Sequence, residues 1–281
     1  MPLPSIPWQP PSDLLEDRQG VWHPKSISAV SYPVDGNDLC FQLEDSSWWF
    51  AHRNACLLEM VRQFPPSGQL YDIGGGNGFV AAALQQAGHQ VALVEPGPGA
   101  LNARRRGVQD VVRSTLADAG FHQGSLPAAG AFDVVEHIAD DSAFLSSVRQ
   151  LLQPGGRFYC TVPAWNPLWS DDDVRAGHFR RYGRQSLTEV LQKAGFGVEF
   201  MTGLFSWLTL PVLLLRTLPS RLKVSKVLSP GTAITIHSDH RLPRALTGMV
   251  RAIHHWELSQ LKRTKSLPVG TSLLCVARAL A

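Results

Sequence analysis

The chain has 281 residues, 44% of them hydrophobic, and a net charge of +3. It is long enough for one large domain with additions or two small ones, its composition is that of an ordinary globular protein, and its near-balanced charge points to no nucleic-acid partner. No apolar run reaches the roughly 18 residues that a membrane span needs. The proline-rich start lacks a basic-then-apolar leader pattern, and Cys40, Cys56, Cys160 and Cys275 are too scattered for a disulfide frame or a zinc pattern, so a cytoplasmic protein with reduced thiols is expected.

In chain order, residues 1–35 read as an irregular N-terminal arm, and Leu39 to Leu43 as a short strand. Glu44-Asp45-Ser46-Ser47-Trp48-Trp49-Phe50-Ala51-His52-Arg53-Asn54 follows. Three consecutive aromatics cannot all face one core from a single element, so some must pack on a neighbouring lobe or line a pocket. A plain packing helix at Trp48 and Trp49 is the other reading, and Ala55 to Phe64 continues as a helix that Pro65-Pro66 ends. A strand (Gln69–Ile73) then runs into the cluster Gly74-Gly75-Gly76-Asn77-Gly78 and a helix (Phe79–Ala87). Strand, glycine turn and helix open an α/β nucleotide-binding unit. Glycine lets the backbone turn sharply and approach a ligand, and the helix start presents free N–H groups above the turn.

The glycine spacing discriminates between cofactors. A dinucleotide loop wants G-x-G-x-x-G, and its third glycine falls on Phe79. The pattern here is D-x-G-x-G-x-G, from Asp72 through Gly74 and Gly76 to Gly78. It resembles the first motif of the class I S-adenosylmethionine (SAM)-dependent methyltransferases, in which this loop wraps the amino-acid part of SAM. The next strand (Gln90–Val94) ends on Glu95-Pro96, about twenty residues past the glycines, where a carboxylate can accept from both ribose hydroxyls. A helix (Ala100–Arg106) and a strand (Asp110–Arg113) follow. Ser114 to Leu116 then lie where the resemblance implies an adenine contact.

Three later stretches carry the same resemblance. The strand Ala128–Phe132 runs into Asp133-Val134-Val135-Glu136-His137-Ile138, similar to the F-D-V-x-E-H-I motif of the branch that includes quinone-biosynthesis methyltransferases. A helix (Ser142–Leu152) ends in Gln153-Pro154-Gly155-Gly156, similar to the family's L-x-P-G-G lead into the strand Arg157–Val162. Val162-Pro163-Ala164 and Gly177-His178-Phe179-Arg180-Arg181-Tyr182 resemble a V-P-A … G-H-x-R-R-Y signature. Ser186 is expected to cap a helix to Ala194, with Glu189 completing a capping box. Gly197 to Thr202 reads as the sixth strand and Gly270 to Arg278 as the seventh.

Between those last strands, residues 204–268 form a mainly helical insertion. It opens on the apolar stretch Leu204–Leu215. From Phe205 to Pro268 it has ten Lys or Arg (Arg216, Arg221, Lys223, Lys226, Arg241, Arg244, Arg251, Lys262, Arg263, Lys265) against two acids, Asp239 and Glu257. It reads either as a lid or homodimer contact that buries Leu204–Leu215, or as a segment (204–226) lying peripherally on a membrane surface with its cations at anionic headgroups. Near-continuous apolarity favours burial or dimer contact.

The expected fold is α/β: a doubly wound, seven-stranded, mostly parallel sheet of the Rossmann-like class I methyltransferase type. The expected units are an arm and cap (1–54), a SAM-binding core (55–203), the insertion (204–268) and the last core strand (269–281). The resemblance implies a SAM-dependent methyltransferase that acts on a small-molecule or lipid-linked acceptor, at oxygen, and releases S-adenosylhomocysteine. The alternative is a non-catalytic SAM-fold interaction protein. Cofactor binding is expected from Asp72, Gly74, Gly75, Gly76, Gly78, Glu95, Pro96, Leu116, Phe132 and Asp133. His137, His178 and Tyr182 are the candidate base groups. Trp49, Arg53, the Trp165-Asn166 pair, Arg180 and Arg181 are the candidate acceptor contacts, the arginines because guanidinium pairs carboxylate or phosphate bidentately. Asp171-Asp172-Asp173 could suggest a metal but reads as a helix start, and no metal is expected.

Overall fold

The computed structural model describes residues 9–26, 41, 43–222 and 244–280. Its sheet grows from a parallel centre. β3 (Leu70–Ile73) pairs with β4 (Val91–Val94) on one side and β6 (Leu126–Phe132) on the other; β5 (Asp110–Val112) extends the first side and β7 (Leu152–Pro163) the second. β3 and β4 are buried along their whole length, as strands covered on both faces must be, and Asp72 in β3 is their one charged residue. β9 (Ser272–Ala279) inserts antiparallel between β7 and β8 (Phe196–Leu204). These seven strands are the expected sheet.

Two more strands lengthen it. β1 (Leu15–Glu16) and β2 (Trp22–His23) form a small antiparallel pair, and Trp22 pairs in parallel with Val112, giving the order β1-β2-β5-β4-β3-β6-β7-β9-β8. The arm is thus not wholly irregular: it covers the β5 edge, where unpaired backbone groups would otherwise stand open. The strand expected at Leu39–Leu43 is corrected too. Phe41, Leu43 and Glu44 are helical, while Leu39, Cys40 and Gln42 lie outside the described residues.

Helices cover both faces. On one, α1 (Trp48–Gln63), α2 (Phe79–Gln86) and α3 (Gly99–Arg105) bury Leu57, Met60, Leu84 and Ala103 against β3, β4 and β6. α1 runs unbroken from Trp48, the packing-helix reading of that stretch, because the Ser47 hydroxyl accepts from the amides of Trp49 and Phe50. On the other face, α4 (Asp141–Leu151) and α6 (Arg184–Lys193) bury Leu145, Val148, Leu187 and Leu191. Ser186 does not cap α6. The helix starts earlier, and the Ser186 hydroxyl accepts from the Gly183 amide at 2.9 Å. Asp171–Asp173 do begin a helix, α5 (Asp171–Ala176), which Ser170 caps in a capping box with Asp173.

The insertion continues past a short turn (Ser206–Leu208) into α7 (Thr209–Val212), a π-turn (Leu213–Thr217) and α8 (Leu218–Arg221). It returns as the long α9 (Arg244–Lys262), which packs on α1. The expected burial of Leu204–Leu215 holds only for its start. Leu204 and Phe205 are buried, whereas Leu210, Leu214, Leu215, Leu218 and Leu222 are exposed, Leu215 at 76%.

Candidate active site

The carboxyl ends of the parallel strands gather the expected site, as an open α/β sheet dictates. Gly74, Gly76 and Gly78 all take left-handed φ values of 53–73°, a region that other residues enter only under strain. A Cβ on Gly78 would lie 2.6 Å from the Cβ of Ala103, so this turn also sets how closely α2 and α3 approach. The N-terminal segment is clamped over the loop. Arg106 pairs with Glu44 at 2.8 Å and Asp45 at 2.5 Å, Glu44 accepts from the Asn77 amide nitrogen, and Asn77 accepts from Asn102.

Beneath the loop, Asp72 is 1% exposed, and neither carboxylate oxygen has a hydrogen-bond partner within normal reach among the described residues. Burial pushes its pKa up to about 7, against the opposing charge of Arg53. A Cβ on Gly75 would fall 2.6 Å from Asp72 Oδ2, so only glycine can lie over it. A buried, unsatisfied carboxylate under a glycine cradle fits a ligand with an ammonium group. At the end of β4, Glu95 accepts from the amides of Gly76 (3.0 Å) and Gly97 (2.7 Å), one on each oxygen, leaving lone pairs for a diol. Pro96 and Leu116 are half-buried beside it, and Phe132 is buried in the core face below.

Asp133 follows β6 with φ 57° and forms an ion pair with Arg53. The Arg53 guanidinium lies over the rings of Trp49 (5.2 Å) and Phe50 (5.4 Å). Trp49 and Arg53 are therefore at the site's edge, with Arg53 already committed to Asp133.

His137 ends a short 3-10 turn (Val135–His137), and its ring meets that of His178 edge-on at 4.8 Å. Burial, then the neighbouring His178, hold the His137 pKa below 6.5, so the ring is neutral at pH 7. His178 Nδ1 lies 2.9 Å from Asp173 Oδ1, and the Phe179 amide donates to the Glu136 carbonyl. The loop after β7 is thus tied to the turn after β6. Burial raises the pKa of Asp173, but the hydrogen bond from His178 and the charge and hydrogen bond of Arg181 outweigh it and keep Asp173 ionised. Neutral histidine, second histidine and carboxylate stand in a row.

Three sequence readings change in the structure. Tyr182 is buried, and its hydroxyl donates to Asp141 Oδ2 at 2.6 Å; burial and that bond hold the phenol protonated far above its ordinary range, so it cannot serve as a base. Arg180 pairs with Asp141 at 2.6 Å, and Arg181 pairs with Asp173 at 2.8 Å and donates to the Ala164 carbonyl. Both arginines fasten the loop, and an acceptor anion would have to compete with those partners. Trp165 is 38% exposed with φ 64°, and Asn166 begins the 3-10 turn beside it. Asn166, Asp141, Arg180, Arg181 and Lys193 line an open cavity of about 380 Å³.

Other residues escaped sequence reading. Asp173 looked like one of three equivalent acids. Glu136, His137 and His178 offer ligand atoms within 4.8 Å of one another, a grouping hidden by their separation along the chain. Glu257, a lone acid in a basic helix, reaches the turn after β8; that isolation was the available signal.

Comparison with known proteins gives the family and the fold. Residues 50–199 match the family described as a methyltransferase domain. A probable S-adenosylmethionine-dependent methyltransferase of Mycolicibacterium smegmatis is 26% identical over 188 residues, 65% of this chain and 72% of that protein. A ubiquinone biosynthesis O-methyltransferase of Cereibacter sphaeroides is 29% identical over 161 residues, 45% of this chain and 63% of that protein. Among solved structures, a SAM-dependent methyltransferase of Thermotoga maritima aligns with TM-score 0.52 and 18% identity, over 86% of this chain and 98% of that one. Phosphoethanolamine N-methyltransferase 2 of Haemonchus contortus, solved with SAM, aligns with TM-score 0.54 and 16% identity, over 92% and 62%. At these identities the structural likeness concerns the fold.

Proposed function

The chain belongs to the class I SAM-dependent methyltransferases, and on that premise we propose that it methylates a hydroxyl of a small or lipid-linked acceptor, with His137 as the general base. The observation that carries this reading is the row His137, His178, Asp173 at the carboxyl edge of β6. SAM supplies the methyl group and leaves as S-adenosylhomocysteine. Asp72 would receive its ammonium group and Glu95 its ribose hydroxyls. The acceptor oxygen gains the methyl and loses its proton to neutral His137. His178, held by Asp173, steadies the resulting imidazolium's orientation. The M. smegmatis and C. sphaeroides relatives support methyl transfer and, for the second, transfer at oxygen.

The exposed leucines of α7 to α8 support a lipid-linked acceptor. They stand beside Arg216, which pairs with Asp172 at 3.8 Å, and Arg221, which donates to the Pro167 carbonyl, on an insertion whose one described acid, Glu257, is fully buried. An apolar surface edged by these two arginines fits an anionic bilayer. No helix of the described residues is long and apolar enough to cross a membrane, so the contact would be peripheral. The test is methyl transfer from labelled SAM to a polyprenyl phenol in anionic vesicles and to its short-chain analogue in solution. The account expects an O-methyl product from both, with the vesicle-borne acceptor favoured. Methylation only at nitrogen or carbon of other acceptors would overturn it.

A further inference from the structure

Among its described residues the insertion buries one charge, and nothing in the chemistry above uses it. Glu257, on α9, is 0% exposed. Its Oε1 accepts from the Ser206 amide (3.0 Å) and hydroxyl (3.1 Å). Its Oε2 accepts from the Phe205 amide (3.0 Å) and lies 2.7 Å from His52 Nε2 on α1. Burial raises the Glu257 pKa, but the hydrogen bond from His52 and those from Ser206 and Phe205 outweigh it, so the group is a carboxylate. The His52 ring stacks on that of His254 at 3.8 Å and 8°, and Trp48 stacks on His254 at 5.5 Å. One carboxylate thus joins three separate elements: α1, the turn after β8, and α9.

What it holds leads back to the reactive edge. Phe205 stands in the left-handed region, at φ 54°, which an aromatic residue keeps only when its surroundings force it. The Phe205 ring stacks flat on Trp49 at 5.2 Å and 7°. Trp49 carries the Arg53 guanidinium, and Arg53 pairs with Asp133, four residues before His137. The positive charge of Arg53 also reaches Asp72 and Glu136. A continuous series of contacts therefore runs from α9 to Asp133, and the charge of Arg53 extends its influence to Asp72 in the SAM cradle.

We infer that Glu257 is a latch that fastens the insertion onto the reactive edge. It is a positioning residue that acts through Phe205, Trp49 and Arg53 on the site where SAM binds. The inference rests on the SAM assignment and not on the choice of acceptor. His52, Cys56 and Glu257 also offer ligand atoms within 4.8 Å, which raises a metal as the alternative occupant. The latch is favoured because four donors already surround Glu257.

The experiment uses the full chain and a double-mutant cycle of Glu257→Ala and Arg53→Ala, with Glu257→Gln as the variant that keeps the shape. SAM affinity is read by calorimetry, and amide exchange at Phe205 and Ser206 by mass spectrometry. Glu257→Ala is expected to weaken SAM at least fivefold and speed those two amides at least tenfold. β6 and β7 should stay protected, Glu257→Gln should fall in between, and the double variant should bind SAM no more weakly than Arg53→Ala alone. Should Glu257→Ala not fold, the intermediate Glu257→Gln carries the same comparison. Three results would overturn the latch: additive losses in the cycle, unchanged SAM affinity with only a lower Tm, or one equivalent of tightly held metal in the purified chain. Intact coupling without any hydroxyl methylation would instead reject the acceptor reading and leave the latch standing.

Discussion

Asp72 shows how a single residue can trade stability for binding. Its carboxyl is buried under Gly75 with a pKa pushed up to about 7, against 3.8 for an exposed aspartate. The folded chain without ligand therefore binds the proton more tightly than the unfolded chain, and stability falls as pH rises from about 3.8 to about 7. Asp72→Asn removes that cost. It should raise the Tm of the ligand-free protein at pH 8, with little effect near pH 4, while abolishing measurable SAM binding. Equal Tm values at pH 8 would show that the carboxylate is relieved some other way. Glu95 carries the complementary case. Its oxygens already hold Gly76 and Gly97, so Glu95→Ala removes both a loop brace and the ribose acceptor. Losing a charged hydrogen bond costs about 1.5–3 kcal/mol, and titration calorimetry should show SAM affinity down by about tenfold or more.

The elements differ in how far they could be read from sequence. β3, the glycine loop and α2 were legible because one local rule governs each: an apolar run, left-handed turns that need glycine, and a helix of good formers. The helix at Asp171 was legible for the same reason. The start of α1 stayed open because the run Trp48-Trp49-Phe50 suited a pocket lining as well as a helix, and the Ser47 cap went unread. The meeting of α1 with α9 was invisible, since His52 and Glu257 find each other only through the fold. That contact makes its own prediction. Burial, then the facing His52, pulls His254 down to about 4 from 6.5, with Glu257 opposing and His255 adding to the effect. The unfolded chain takes up this proton first, so stability from this group is complete above about 6.5 and is lost as pH falls toward about 4. His254→Phe should therefore reduce the drop in urea midpoint between pH 7 and pH 5 relative to the parent chain. An identical drop in both would place the proton uptake elsewhere.

At the scale of the whole molecule, the mostly parallel sheet with its antiparallel last strand followed from the family motifs, and so did the gathering of site residues at one edge. The roles of the loop residues did not. Arg180, Arg181 and Tyr182 looked like free chemistry, but Asp141 and Asp173 claim them, and such pairings depend on where α4 and α5 come to rest. The insertion's outer face stayed open in the sequence because unbroken apolarity suits a lid, a dimer contact or a membrane surface alike; the fold leaves Leu214 and Leu215 in solvent within this chain. If that face meets a bilayer, Leu214→Glu with Leu215→Glu should cut binding to anionic vesicles at least tenfold in a sedimentation assay, with SAM affinity unchanged. Undiminished binding would remove the membrane from the account. The central claim, that a neutral His137 takes the acceptor's proton, is tested most directly by single-turnover methyl transfer for the parent chain and His137→Ala across pH 5 to 8. A general base contributes about 10²–10⁴-fold. The account predicts a loss of that size with SAM affinity unchanged, and a parent rate that climbs with pH through a midpoint below 6.5 and is flat by pH 7. A His137→Ala enzyme that keeps the parent's rate and pH profile would contradict it.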